Sequence, residues 1–122
     1  MNDLESLAHR YVAVWNETDA SRRRQQIADL WAPDGQHYVG ERQVQGFDDL
    51  ERRVRESHEK NVRDNGNRFR AVPGSIHRLR DVVAFHWEML PKQSETVLGR
   101  GLEFVIVNDK GRIVADYMFY PA

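Results

Sequence analysis

The sequence predicts a single α+β domain in which helices pack on one face of a curved, mainly antiparallel sheet. Apolar residues recur with the helical period of about 3.6 residues as far as Gly66 and with the strand period of about two residues after it. Helices gathered early in a chain and strands gathered late are typical of the α+β class. No repeat or linker interrupts the 122 residues, so residues 1–122 are treated as one domain.

Three helices are predicted in the first half. Residues 4–15 carry apolar side chains at the spacing of an amphipathic helix, and residues 20–31 form a second helix before a sharp break at Pro33-Asp34-Gly35. A third helix over residues 47–64 ends at Asn65-Gly66, which supplies the left-handed residues that close a helix.

The rest of the chain is predicted to be mainly strand. Residues 36–44 form one or two short strands between the second and third helices. Short turns then separate four strands that form antiparallel hairpins, over residues 68–79, 82–90, 95–107 and 112–120. Pro73-Gly74 predicts a bulge within the first of them, because proline cannot donate to the sheet there.

Composition excludes several classes of protein. The 18 Lys and Arg against 19 Asp and Glu argue against a nucleic-acid partner, and no stretch approaches the roughly 18 apolar residues of a membrane span. The chain has no Cys, and its five His lack the spacing of a metal site. We therefore expect a cytoplasmic protein with no metal, no cofactor and no membrane partner.

The third long strand is apolar on both of its faces. Val97, Val105 and Val107 alternate with Leu98, Leu102, Phe104 and Ile106, whereas a sheet with one solvated face alternates apolar with polar residues. A second copy of the chain is the simplest cover for the other face. The sequence therefore predicts a homodimer that packs through the sheet.

Two polar residues on apolar faces are candidates for a site. Tyr11 brings a hydroxyl to the buried stripe of the first helix, and Glu103 lies in an apolar strand beside Gly99 and Gly101, which leave space next to it. Tyr11 could equally be a core residue bonded to a carbonyl, and Glu103 could face solvent or pair with an arginine. His37 and His58 are candidate acid/base groups, although a lone buried His is more often structural.

Several segments together resemble the nuclear transport factor 2-like superfamily, in particular its SnoaL-like and ketosteroid isomerase-like members. The segments are RYVAVWN at 10–16, IADLWAPDG at 27–35, VQG at 44–46, FHWE at 85–88 and the stretches 103–113 and 117–120. The resemblance implies three helices on the concave face of a strongly curved mixed sheet. This cone encloses one apolar pocket and is often dimeric through the sheet.

The resemblance also implies roles for individual residues. Tyr11 matches the isomerases' oxyanion-hole tyrosine, and Glu103 matches their second donor, a carboxylic acid kept protonated by its apolar site; this mechanism is the known one of ketosteroid isomerase. The isomerases' general base falls at Val39, which cannot take a proton.

Other groups could replace that base. His37, Glu41 and His58 lie nearby in the predicted fold, and Asp116 is a further candidate because SnoaL-like cyclases and limonene epoxide hydrolases are similar in placing acids in that region. The sequence lacks the hydrolases' full arrangement of one arginine and two aspartates, since Gly101 stands where their arginine would be.

Two functions fit the sequence. One is acid/base catalysis of the isomerase, cyclase or hydrolase type on a hydrophobic cyclic or polyketide-like substrate. The alternative is a dimeric ligand-binding module without catalysis that uses the same pocket. For either function, the residues predicted to line the pocket and bind the ligand are Trp15, Trp31, Tyr38, Phe69, Trp87 and Met118.

Overall fold

Three α-helices and a seven-stranded mixed sheet make up the part of the chain, residues 3–120, that the computed structural model describes. The helices are α1 Asp3–Asn16, α2 Ala20–Leu30 and α3 Gly46–Ser57, and α3 continues directly into a π-helical segment, His58–Asp64. The strands are β1 Trp31–Val39, β2 Arg42–Gln45, β3 Asn67–Ala71, β4 His77–Leu79, β5 Val82–Pro91, β6 Gly99–Val107 and β7 Ile113–Phe119. None of the described helices is long and apolar enough to cross a membrane.

The sheet has the order β2-β1-β7-β6-β5-β3, with β4 also paired to β5. The pair of β1 and β7 is parallel and the other pairs are antiparallel. The helices pack on the concave face, where the apolar stripe of α1 and the inward residues of β5 and β6 form one core. The predicted α+β class and the cone of three helices on a curved sheet are therefore confirmed.

The second helix ends one residue earlier than predicted, and the break after it is absent. Asp19 caps α2 by accepting a hydrogen bond from the Arg22 N–H at 2.9 Å, and Trp31 is already extended. The predicted sharp break at Pro33–Gly35 instead lies inside β1 as an irregularity, where the pairing with β7 jumps between Trp31 and Gln36. A Cβ on Gly35 would lie 2.7 Å from Trp31 Cδ1, so the indole occupies the space that the glycine leaves.

The predicted third helix, residues 47–64, has nearly the right ends but is not a single α-helix. Its α-helical part begins at Gly46 and changes to π-helix at His58. Of the two residues predicted to be left-handed, Gly66 is so, with φ +67°, whereas Asn65 is right-handed, with φ −100°.

Two of the predicted strands are corrected. Residues 68–79 are not one bulged strand, because a turn that includes Gly74, with φ +78°, separates β3 from β4, and both of these strands pair with β5. The strand predicted from residue 95 begins only at Gly99.

The outer face of the sheet carries an apolar patch. Tyr38 stacks on Tyr117 with ring centroids 5.0 Å apart, and Phe104 meets Phe119 edge-on at 5.6 Å. The last three of these residues are exposed to solvent. We call these four residues the outer patch.

Candidate functional site

Five polar side chains meet inside the cone and form what we call the polar cluster: Tyr11, His37, Trp87, Glu103 and Asp116. They come from α1, β1, β5, β6 and β7, so only the assembled fold brings them together. Glu103, Asp116 and His37 have no solvent exposure at all. Hydrogen bonds among such side chains offset most of the cost of burying them.

Tyr11 is the centre of the cluster. Its hydroxyl lies 3.0 Å from Glu103 Oε2 and 3.1 Å from Asp116 Oδ1. The same Asp116 oxygen lies 2.7 Å from His37 Nδ1, and Trp87 Nε1 donates to Glu103 Oε1 at 3.0 Å. Hydrogen bonds thus connect the indole of Trp87 continuously to the imidazole of His37.

Strand register places the carboxyl groups beside each other. In the pair of β6 and β7, Glu103 lies opposite Met118 and Val105 lies opposite Asp116, so the two acids are diagonal neighbours on the inner face. His37 is the partner of Asp116 across the parallel pair. The Tyr11 ring is held against Phe85 and Trp31, with centroids 5.5 Å away in each case.

Gly101 allows Trp87 to reach Glu103. A Cβ on Gly101 would lie 2.1 Å from Trp87 Cζ2, so the indole rests directly on the glycine backbone. The space that the sequence predicts beside Gly101 is therefore filled by Trp87. Gly99 leaves room for a Cβ, since the nearest atom to its Cβ position is Met89 Cε at 3.9 Å, an ordinary van der Waals distance.

The cluster holds at least one proton that an ordinary carboxylate would release. Burial, and after it the charge of Asp116, raise the pKa of Glu103 well above its usual value, and burial with the same two acids raises the pKa of Tyr11. The geometry agrees, because a phenol has one hydrogen to give and Tyr11 lies between two carboxyl oxygens. The Tyr11 hydroxyl can donate to Glu103 Oε2 or to Asp116 Oδ1, and a proton retained on a carboxyl group supplies the hydrogen for the other contact.

A cavity of about 1010 Å³ lies between α1, α3 and the sheet and is partly open to solvent. Of the polar cluster, Tyr11 and Trp87 line it. The other aromatic and apolar lining residues include Val12, Trp15, Val39, Phe69, Met89, Leu98, Met118 and Tyr120. The charged lining residues are Glu41, Arg42, Arg53, Glu56, Lys60 and Arg100. A hydrophobic wall with a few polar groups is the usual composition of a small-molecule site.

The structure brings together four of the five residues predicted to act in catalysis: Tyr11, Glu103, His37 and Asp116. His58 is the exception. It is buried in the π-helical segment, where burial and then the charges of Arg23 and Arg63 lower its pKa, and it belongs neither to the cluster nor to the cavity lining.

Two of the six residues predicted to bind substrate do not line the cavity. Trp15, Phe69, Trp87 and Met118 line it. Tyr38 instead points to the outer face of the sheet, because it lies one position from His37 and alternate residues of a strand face opposite ways. Trp31 is completely buried behind Tyr11, where the β1 irregularity turns it onto Gly35.

Arg53 is a cavity residue that the sequence analysis does not single out. Its guanidinium lies over the Trp15 ring, 5.0 Å from the centroid. The available signal was helical spacing, since Arg53 follows the buried Leu50 by three residues and precedes the buried Val54. Within the described residues, no cluster of three or more His, Cys, Asp or Glu could hold a metal ion.

Comparison with known proteins identifies the fold. No protein-family model and no curated protein matches the sequence. Among solved structures, a candidate isomerase of the SnoaL-like family from Agrobacterium tumefaciens has a TM-score of 0.88 and 24% identity, with both chains covered in full. A nuclear transport factor 2-like protein of unknown function from an Exiguobacterium species has a TM-score of 0.72 and 17% identity over 94% of this chain and 98% of the other.

A candidate ketosteroid isomerase from Kribbella flavida is also similar, with a TM-score of 0.65 and 18% identity over 96% of this chain and 76% of the other. The chain therefore has the cone fold of the nuclear transport factor 2-like proteins. Within that fold, its architecture resembles the SnoaL-like and ketosteroid isomerase-like structures, at identities that support the fold and no particular activity.

The contact between Trp87 and Gly101 predicts that Gly101→Ala destabilises the protein. The added methyl group would displace the indole from Glu103, so we expect the free energy of unfolding to fall by about 1–3 kcal/mol. Gly99→Ala, two residues away on the same strand face, is the matched control and should cost much less. Urea unfolding followed by tryptophan fluorescence measures both, and equal losses would contradict the packing described.

The protonated state of Glu103 predicts a pH dependence of stability. Above the ordinary glutamate pKa of 4.5, the unfolded chain releases this proton while the folded chain retains it, so Glu103 destabilises the fold increasingly as pH rises towards its raised pKa. Glu103→Gln cannot ionise. As pH rises through this range, the free energy of unfolding of Glu103→Gln should therefore increase relative to that of the wild type by up to about 1.4 kcal/mol per pH unit.

Urea unfolding of both proteins at several pH values between 4.5 and 8 tests this expectation. Glu59→Gln, on the helix surface, controls for the loss of a carboxylate elsewhere. A difference between Glu103→Gln and wild type that stays constant over the whole range would show that Glu103 is ionised in the folded protein.

Proposed function

We propose that the protein binds a hydrophobic, cyclic or polyketide-like molecule in the cavity and acts on it by acid/base chemistry of the isomerase, cyclase or hydrolase type. One observation carries this proposal. Tyr11 lines the cavity and also lies between two buried carboxyl groups. A hydroxyl held in this way is positioned to polarise a carbonyl oxygen of a bound ligand.

In the proposed chemistry, the substrate oxygen accepts the Tyr11 hydrogen, and the Glu103 proton moves to the Tyr11 oxygen as negative charge develops. Trp87 and Asp116 act as positioning residues, the first through its bond to Glu103 and the second through its bond to Tyr11. His37 is a positioning residue for Asp116.

A proton leaving a substrate carbon would need a base in the cavity. Two carboxylates line it, Glu41 and Glu56. Glu41 follows the isomerase-like base position, Val39, by two residues, and we assign it this role. His58 has no part in the proposal because it lies outside the cavity lining.

The similar structures support the proposal at a coarse level, since they include a candidate isomerase and a candidate ketosteroid isomerase. A second function, ligand binding without catalysis, is favoured by a different observation. Tyr11 is 1% exposed, and both of its hydrogen-bond partners belong to the protein. A bound molecule must therefore compete with the polar cluster for its hydrogen.

Turnover by substituted proteins separates the two functions. A panel of cyclic enones, lactones and phenols is first screened for binding by tryptophan fluorescence, and the binders are then assayed for conversion by chromatography. We expect Tyr11→Phe to reduce conversion by about 10²- to 10³-fold, because the hydrogen-bond donor to the oxyanion is lost. Glu103→Gln should also reduce it, because the amide cannot supply a proton to Tyr11.

Tyr117→Phe, which removes a hydroxyl on the outer face, is the matched control and should leave conversion unchanged. Ligands that bind without conversion by any protein would favour the binding module. Conversion that is equal in wild type and Tyr11→Phe would remove Tyr11 from the mechanism.

We also propose that the outer patch is covered by a second copy of the chain, as the apolar pattern of β6 predicts. Light scattering at micromolar concentration should give a mass of two 14.3 kDa chains. Phe119→Lys should shift this mass towards the monomer, because charge is costly in an apolar interface. Leu79→Lys, at a more exposed apolar residue on β4, is the control. A wild-type monomer would contradict the proposal.

A further inference from the structure

Arg53 enters the cavity without a carboxylate partner. No carboxylate of the described residues lies within ion-pair distance of it, and its Nε is buried with no hydrogen-bond partner. One Nη faces Met118 Sδ at 3.9 Å, which is a weak acceptor. The guanidinium is held instead by its stacking on the Trp15 ring.

Other arginines of the same helical stretch are paired. Arg52 bonds Asp49, Arg55 lies 3.2 Å from a Glu51 oxygen, and Arg63 lies 2.8 Å from Asp64. These three arginines are more exposed than Arg53 and do not line the cavity. The helix surface thus supplies carboxylates to its solvated arginines, while the arginine that faces the cavity has none.

The surroundings of Arg53 add positive charge. Arg42 also lines the cavity, and burial together with the charge of Arg42 lowers the pKa of Arg53. Glu56, one helical turn further on, acts in the opposite direction but forms no ion pair with Arg53. A partly buried guanidinium next to a second one is stabilised by an anion between or beside them.

We infer that the cavity takes a ligand with an anionic group, a carboxylate or one of similar charge, which pairs with Arg53 while its apolar part lies against the aromatic wall. The inference rests on the proposed binding of a small molecule and narrows its class to hydrophobic acids. Arg53 reaches the neighbourhood of Tyr11, whose phenol is among the groups that act on its charge. An anion held there would orient the rest of the ligand relative to Tyr11.

Matched ligand pairs test the inference on the wild-type protein. The probes are the carboxylates of naphthalene, biphenyl and cyclohexane and the corresponding primary amides, which have the same shape without the charge. Isothermal titration calorimetry should give each acid that binds an affinity about 10- to 100-fold higher than its amide, as expected for hydrogen bonds to a charged partner. The advantage should shrink as salt concentration rises.

Substitution then assigns the effect to one residue. Arg53→Met keeps the length and apolar packing of the side chain and should lower the affinity for the acids to that for the amides. Arg53→Lys keeps the charge without the planar fork and should retain part of the preference. Arg52→Met, the neighbouring arginine outside the cavity, is the control and should bind as the wild type does.

The outcomes separate this inference from the proposed function. Acids and amides that bind equally well to the wild type would overturn the anion site while the cavity remains a ligand site. A preference for acids that survives in Arg53→Met would also overturn it. If neither acids nor amides bind, the inference fails, and the proposed function is decided separately by the panel of enones, lactones and phenols. Acids that bind through Arg53 but are never converted would support the inference. They would contradict only the catalytic part of the proposed function.

Discussion

Two carboxyl groups share one phenol at the centre of this structure, in a place that solvent does not reach. Burial and the mutual repulsion of the two acids disfavour a second negative charge at this site. The pKa of Glu103 is therefore raised, and its retained proton adds to the hydrogen bonds that run from Trp87 to His37. The inner face of the sheet is organised around these hydrogen bonds.

Close packing against glycine makes the arrangement possible. Trp87 reaches Glu103 because Gly101 has no side chain beneath the indole. Trp31 packs against the Tyr11 ring because Gly35, in the irregular part of β1, leaves room for its indole. In both places a missing side chain lets a large aromatic ring approach the backbone. The polar cluster thus depends on residues that carry no polar group themselves.

The cavity combines three environments within a short distance. The polar cluster meets it at Tyr11 and Trp87, aromatic rings form its wall, and Arg53 and Arg42 lie on the side of α3 and β2. An acid with a flat apolar body would satisfy all three. Catalysis and simple binding differ only in whether such a ligand takes the hydrogen of Tyr11 from the protein groups that now accept it.

The order of residues in the sequence predicts much of the fold and part of the candidate site. Periodicity located the helices, most strands and the buried faces, so Tyr11 and Glu103 were recognised as polar residues on apolar faces. Periodicity did not predict the direction of Trp31, which the irregularity in β1 sets, or the strand break, which the turn at Gly74 makes. It also did not predict that Arg53 faces the cavity, where its guanidinium lies on a neighbouring ring. Which carboxyl group keeps its proton depends on distances between five separate elements. Those distances exist only once the sheet has its register.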